Sequence, residues 1–378
     1  MTKVMDAISY HKKYNGKIGT ELKSPINTKP DLSLAYTPGV AKVCEKIHKN
    51  PRKAGSLTLK GKTVAVVSDG SAVLGLGNIG GLASIPVMEG KAALFKKFGG
   101  VDAFPICLDT QDTKGIISII KNIAPSFGGI NLEDISAPRC FEIEKILKKE
   151  LSIPVMHDDQ HGTAVVVLAA LINALKVVGK KKEGVKIVVN GAGAAGLAVS
   201  DLLLKYGFKN LIICDSKGAI YKNRKDLNLE KQRLSKFTNK ENIKGNIHQV
   251  IKDQDVFIGV SKGNLINKED IKNMNNDPIV FAMANPTPEI MPDIAKKGSA
   301  KIVATGRSDF DNQINNVLAF PGIFKGALEN NVKEITDEML IAAAKKLASL
   351  VKKPTAEKII PSPFEEKIAE SISKVIKN

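Results

Sequence analysis

The sequence predicts an α/β fold built as two successive units, each around a parallel sheet, with helices closing the C-terminal end. Three observations predict it. Short apolar runs alternate with helical patterns from residue 63 to residue 306, the signature of parallel βαβ units. The 378 residues suffice for two cores, and fractions of 43% hydrophobic and 25% charged are ordinary for a globular chain. A second series starts at the helix from Gly162, and within it a glycine turn near residue 191 joins an apolar strand to a helix. No internal repeat or low-complexity segment interrupts this order.

The elements follow in sequence. After a polar, helix-like entry, TVAVVSDG (63–70) reads as a buried strand. A helix around 86–98, the strand VDAFPICLD (101–109) and a helix around 114–122 come next. A short strand ends near INLED (130–134), a helix covers 138–150, and IPVM (153–156) is the following strand. The second series has a helix from Gly162 to Val178, the strand VKIVVN (185–190), a helix over 197–206 and the strand LIICD (211–215). Further strands are expected at 255–260, 278–285 and 301–306, and helices at 322–329, 337–351 and 364–377. A hinge at 157–162 divides the chain into units 1–160 and 161–378.

Composition narrows the function. No run approaches eighteen consecutive apolar residues, which argues against a membrane span. The opening MTKVMDAISYHKKYNG lacks an apolar signal core, so a cytoplasmic enzyme is the expectation. Cys44, Cys107, Cys140 and Cys214 have no paired spacing and read as reduced, mostly buried thiols. The net charge is +17, but the lysines are spread along the chain, with no arginine-rich arm and no aromatic stacking pattern. Nucleic acid is therefore not the expected partner.

The pattern G-x-G-x-x-G occurs twice, at Gly75-Leu-Gly77-Asn-Ile-Gly80 and at Gly191-Ala-Gly193-Ala194-Ala195-Gly196. A dinucleotide site needs a strand before it, a helix after it and an acid ending the next strand. The second copy meets all three demands, with Asp215 nineteen positions beyond Gly196. It predicts a Rossmann-type, doubly wound dinucleotide-binding unit, with the pyrophosphate on the helix N-terminus. The first copy fits poorly, because the acid ending its next strand, Asp109, comes twenty-nine positions after Gly80. It reads as a turn beside the substrate site or as a purely structural loop. Asp215 favours NAD, since a carboxylate repels a 2′-phosphate. Lys217 and Arg224 lie close behind it, which keeps NADP or dual use open.

In parallel sheets the chemistry gathers at the carboxyl ends of strands. Glu133 and Asp134 end one short strand, and Asp158 and Asp159 end the next. Were those strands neighbours, up to four carboxylates would share one cleft and repel one another without a cation. Oxygen ligands suit Mg²⁺ or Mn²⁺. The plainer alternative is that these acids cap the helices that follow. His157 and His161 are four apart, but the helix is expected to start after them and zinc would want a further nitrogen or sulfur ligand. They read as orienting or packing residues, with zinc as the minor alternative.

Other polar signals are weaker alone. Tyr36 precedes a Pro-Gly turn in AYTPGVA (35–41). Lys91 lies in MEGKAALF (88–95), where it is either a solvated lysine or, if buried, one whose pKa is lowered into a useful range. Asn285 ends a strand, and Asn315 and Asn316 open NNVLAFPG. Such asparagines bind a substrate carboxylate or shape turns.

Taken together, AYTPGVA, VSDGSAVLGLGNIG, MEGKAALF, NLEDI, HDDQHGTA, NGAGAAG, ANPTPEI and NNVLAFPG resemble the malic enzymes in their compact bacterial and archaeal form, in order from about residue 15 to 330. The resemblance implies oxidation and decarboxylation of L-malate to pyruvate and CO₂, with NAD(P) and a divalent cation, by an N-terminal malic-type catalytic domain and an NAD(P)-binding domain. It implies that Glu133, Asp134 and Asp159 hold the metal and that Tyr36 and Lys91 are the acid–base pair. Asp158 would support the base. The cofactor would lie on Gly191, Gly193, Ala194, Ala195, Gly196, Asp215 and Asn285, and the substrate on Asn285, Asn315 and Asn316. Compact members are dimers, which raises the idea that Tyr36 acts across the interface. One departure stands out: larger members have an arginine where this chain reads Ser71-Ala72. The rival reading is an NAD-linked hydroxy-acid dehydrogenase that does not decarboxylate.

Overall fold

The structure, a computed structural model, describes residues 6–73 and 75–378; Leu74 of VSDGSAVLGLGNIG lies outside them. The chain opens with four short helices, α1 (Ala7–Tyr14), α2 (Lys29–Ala35), α3 (Val40–Lys49) and α4 (Ala54–Leu57), none of which buries a residue. Local chemistry starts α2: Thr28 and Asp31 form a reciprocal capping box, with a proline in the first turn.

The first sheet has strand order β2-β1-β3-β4, with β1 Thr63–Ser68, β2 Asp102–Cys107, β3 Gly129–Leu132 and β4 Val155–His157. All three pairings are parallel. All six residues of β1 are buried, as a central strand covered on both faces requires. Helices α5 (Gly80–Leu94), α6 (Thr113–Ile123) and α7 (Arg139–Glu150) make the crossovers.

Helix α8 runs from Asp158 to Val178, so the expectation that it begins at Gly162 is corrected. His157 holds the N-cap position, and its N–H donates to Glu144 of α7 at 2.9 Å. Asp158 and Asp159 therefore occupy the first turn, where negative charge suits the helix dipole. By length and composition α8 could cross a membrane, yet Val165–Leu171 are wholly buried between the two sheets.

The second sheet has order β10-β9-β8-β5-β6-β7, with β5 Lys186–Asn190, β6 Asn210–Asp215, β7 Gly218–Ala219, β8 Val256–Gly259, β9 Ile279–Ala282 and β10 Ile302–Thr305. Only β7 is antiparallel. Strand order reverses at β5, between β6 and β8, which is the switch point of a doubly wound sheet. Helix α9 (Ala194–Tyr206) rises directly from the glycine turn. A Cβ on Gly196 would stand 1.6 Å from the Gly191 carbonyl oxygen, so only glycine allows this approach. Helices α10 (Leu229–Ser235), α11 (Ile247–Val250), α12 (Lys268–Lys272) and α13 (Pro292–Lys297), like β7, have no counterpart in the sequence reading.

The chain ends in α14 (Phe320–Glu329), α15 (Asp337–Leu350) and α16 (Ile368–Ser373). The last is shorter than the expected 364–377, because Lys367 adopts a left-handed φ of 64° before it and the backbone tightens after Ser373. One large core joins the units through α8 and α14, where Phe95 and Phe320 meet with ring centroids 4.6 Å apart.

Candidate active site

A cleft of about 800 Å³ opens between the two sheets at the carboxyl ends of their strands. A larger groove of about 1170 Å³ follows α16, but its lysines and glutamates include surface ion pairs such as Lys325–Glu329 and Lys374–Glu370, and among the described residues no cluster of potential metal ligands lies there.

Pairing of β3 with β4 sets Leu132 opposite His157, so the residues just beyond both strands meet. Ligand oxygens of Glu133, Asp134 and Asp159 all lie within 4.8 Å of one another. The Asp134 N–H donates to Asp159 Oδ2 at 2.9 Å, and Asn131 Nδ2 donates to Glu133 Oε2 at 2.8 Å. Asp134 itself takes a left-handed φ of 54°, an uncommon conformation that turns the chain sharply at the strand end. Burial and then the repulsion of Asp159 push the Asp134 carboxyl up to about 8. Burial also holds Glu133 well above the usual carboxylate range. Three crowded oxygen donors, two of them with raised pKa values, fit a hard divalent cation such as Mg²⁺ or Mn²⁺.

Lys91 projects from α5 into this set and is buried. Its Nζ lies 2.7 Å from Glu133 Oε1, 2.6 Å from Asp158 Oδ2 and 4.3 Å above the Phe320 ring. The expectation that burial alone lowers its pKa is corrected. Burial does oppose its charge, but Asp158, Glu133 and Asp159 outweigh that cost and hold the ammonium well above the usual lysine range. Asp158 is pushed up to about 6 by burial, a rise that Lys91 restrains.

Neither histidine joins a metal set. His157 is fully buried, with Nδ1 3.7 Å from Asp159 Oδ2, and burial favours its neutral form. His161 Nε2 pairs with Glu144 at 2.9 Å on the far side of α8. Among the described residues, the carboxylate trio is the one cluster of three or more potential ligands.

The second unit brings Ala195, Asn285, Asn315 and Asn316 to the cleft. Asn285 precedes a cis peptide to Pro286, and Asn315 also caps a short helical turn by accepting from the Val317 N–H at 2.9 Å. Asp215 stands at the end of β6, where both its oxygens accept from Arg224 Nη2 at 2.8 and 2.7 Å and Oδ2 accepts from Lys231 Nζ at 2.8 Å. Of the two cations read beside it, Arg224 arrives, whereas the Lys217 ammonium turns to Asp226 at 2.9 Å. Lys231 comes from α10, which no local pattern around Asp215 reveals.

Tyr36 stands apart, 69% exposed at the C-cap of α2 and outside the cleft lining. Where larger members carry arginine, the Ala72 N–H donates to the Asp134 carbonyl at 2.9 Å. Thr163, Ser261, Lys262, Asn264 and Thr287 line the cleft without having been singled out in the sequence.

The profile of the malic enzyme N-terminal domain matches residues 15–115, and that of the malic enzyme NAD-binding domain matches residues 160–377. The chain belongs to the malic enzyme family. Malic enzymes oxidatively decarboxylate malate to pyruvate and CO₂ with reduction of NAD or NADP. The NAD-dependent malic enzyme of Geobacillus stearothermophilus is 59% identical over 96% of this chain and 76% of its own length. The bifunctional malic/malolactic enzyme of Bacillus subtilis is 53% identical over 98% of this chain and 91% of its own. The crystal structure of the NAD-dependent malic enzyme of Thermotoga maritima superposes with a TM-score of 0.96 at 50% identity, covering 99% of both chains. The mixed α/β architecture and the Rossmann-type unit are thus those of malic enzymes.

Proposed function

We propose that the cleft converts L-malate to pyruvate and CO₂ with an acid–base and metal set drawn mainly from unit 1–160, against a dinucleotide on unit 161–378. The observation that carries this reading is Lys91 between Glu133 and Asp158 at 2.7 and 2.6 Å, beside the carboxylate trio. Glu133, Asp134 and Asp159 would hold Mg²⁺ or Mn²⁺, which supplies a Lewis acid for the C2 oxygen and the enolate. Lys91 takes the C2 hydroxyl proton as hydride leaves for the nicotinamide. Its proton is held by Asp158, Glu133 and Asp159, so neutralising two of these acids frees it for that role. Asp158 orients the amine and offsets the positive charge that Lys91 gains with the proton.

Asn285, Asn315 and Asn316 offer amide groups to the substrate, with Asn285 also beside the cofactor. Gly191, Gly193, Ala194, Ala195 and Gly196 carry the pyrophosphate at the start of α9. Arg224 and Lys231 both bind Asp215, which blunts its repulsion of a 2′-phosphate and favours use of NADP as well as NAD. Tyr36 protonates C3 of enolpyruvate, and its exposure outside the cleft supports delivery across a homodimer interface. Four unpaired thiols fit a cytoplasmic setting.

The test is absorbance at 340 nm with malate, Mn²⁺ and NAD or NADP in turn, with pyruvate assayed alongside. Equal yields of reduced cofactor and pyruvate are expected. Reduced cofactor without pyruvate, or activity untouched by EDTA, would overturn the reading in favour of a simple dehydrogenase.

A further inference from the structure

The ligands of this cleft are anions, on the reading just proposed: a dicarboxylate at one end and a dinucleotide pyrophosphate at the other. The charged side chains lining it are Lys91, Glu133, Asp134, Asp159 and Lys262. Lys91 is already committed, paired to Glu133 and Asp158. Lys262 forms no ion pair or side-chain hydrogen bond with any described residue, and it is exposed. It is therefore the one uncommitted cation of the lining among the described residues. The position that carries arginine in larger members cannot help, because Ala72 has no charge and its N–H is spent on Asp134.

The backbone that bears Lys262 is fixed. It follows β8 at the switch point, where ligands of doubly wound sheets bind. Glu289, fully buried, accepts from the Ser261 N–H at 3.0 Å and from the Ala284 N–H at 2.9 Å. One carboxylate thus ties the loop after β8 to the loop that carries Asn285. Asn190, at the end of β5, donates to Ser261 Oγ at 2.8 Å, and the Asn264 N–H donates to the Pro288 carbonyl at 2.9 Å. Ser261 and Asn264, which flank Lys262, are held to the end of β5 and to the loop after β9 while the Lys262 ammonium is free. A rigid base under an unpaired charge is what a binding residue needs, since less ordering entropy is lost when the ligand arrives.

We propose that Lys262 binds an oxyanion in the cleft, either a substrate carboxylate or the dinucleotide pyrophosphate, on a loop that Glu289 positions. Lys262→Gln removes the charge from an exposed side chain, so the fold is kept, and Lys262→Arg restores it. Calorimetry on the full chain with Mn²⁺ gives separate dissociation constants for malate and for NADH. A rise of roughly ten- to hundred-fold is expected in one of them for Lys262→Gln, with recovery in Lys262→Arg and a smaller effect at high salt. A rise for malate assigns the carboxylate, and a rise for NADH assigns the pyrophosphate. If both constants stay within about two-fold of wild type, the proposal is wrong. These are binding measurements, so a wild-type chain inactive on malate would sink the proposed reaction while NADH affinity still judged Lys262.

Discussion

Asp134 shows how a single side chain can work against the fold and for the reaction. Its carboxyl is pushed from 3.8 up to about 8 by burial and by Asp159. A group whose folded pKa is raised contributes stability below its unfolded value and loses it as pH rises toward the folded one. The chain stripped by EDTA should therefore lose Tm between pH 5 and pH 8, as charge is forced onto the trio. Mn²⁺ relieves that repulsion and binds more tightly as the competing proton leaves. The expected result is a larger Mn²⁺-induced rise in Tm at pH 8 than at pH 6, and equal rises would contradict it. Asp158 separates from the trio on the same logic. It touches Lys91 at 2.6 Å and is absent from the ligand cluster. Asp158→Asn should cut kcat by roughly 10²-fold while leaving Mn²⁺ affinity nearly intact, whereas Asp159→Asn should weaken both. Isothermal titration with Mn²⁺ beside steady-state kinetics distinguishes the two.

At the scale of the element, α8 decides the site. Its first turn presents Asp158 toward α5 and Asp159 toward β3, and Gly162 in its second turn makes room for the first of these. A Cβ on Gly162 would fall 1.8 Å from Asp158 Oδ1 and 2.9 Å from its Cγ. The Asp158 carboxylate would have to swing away, and its other oxygen is the one that holds Lys91. Gly162→Ala is otherwise favourable in a helix by roughly 0.5–1 kcal/mol. The overlap with a buried carboxylate paired to Lys91 outweighs that gain, so the variant should lower Tm and reduce kcat together; unchanged kcat and Tm would show that Asp158 has room to spare. Sequence alone made the carboxylate pairs and the second glycine turn legible, because both follow strands with strong apolar runs. It misplaced the start of α8, because Glu144, which accepts from the His157 N–H, lies thirteen residues away on another helix. It also missed Lys231 and Lys262, since lysines are scattered through a chain of charge +17 and only the fold, which brings one to Asp215 and the other to the cleft, distinguishes them. The direction of the Lys91 shift was hidden for a related reason. Burial could be guessed from MEGKAALF, but the three acids that overrule it come from just beyond β3 and from the first turn of α8.

The whole molecule leaves its N-terminal quarter without a core of its own. Helices α1–α4 bury nothing, while Ile8, Tyr14, Leu22, Leu32, Leu34 and Leu59 stand exposed beside Tyr36. So many large apolar side chains along one segment fit a surface that a second protein would cover. The segment is tied to its own unit by Ile18 packing on the core and by polar contacts such as Lys17 Nζ donating to the Pro86 carbonyl at 2.7 Å and Lys23 pairing with Asp102 at 2.7 Å. On the function proposed above, a second copy of the chain is the occupant that would also complete the chemistry, because Lys91 would be the base and no tyrosine lines the cleft among the described residues. In a two-fold dimer each arm would cover its partner and lend it a Tyr36. The consequence can be measured by complementation. Tyr36→Phe and Lys91→Ala subunits, each nearly inactive alone, are unfolded, mixed in equal amounts and refolded together. If Tyr36 acts across the interface, half of the dimers combine both variants and each has one intact site, so about a quarter of wild-type activity returns. If each site is built from one chain, every site in the mixture carries a lesion and no activity appears. A mixture that elutes as a dimer and stays inactive would show that the arms assemble the molecule without supplying its acid.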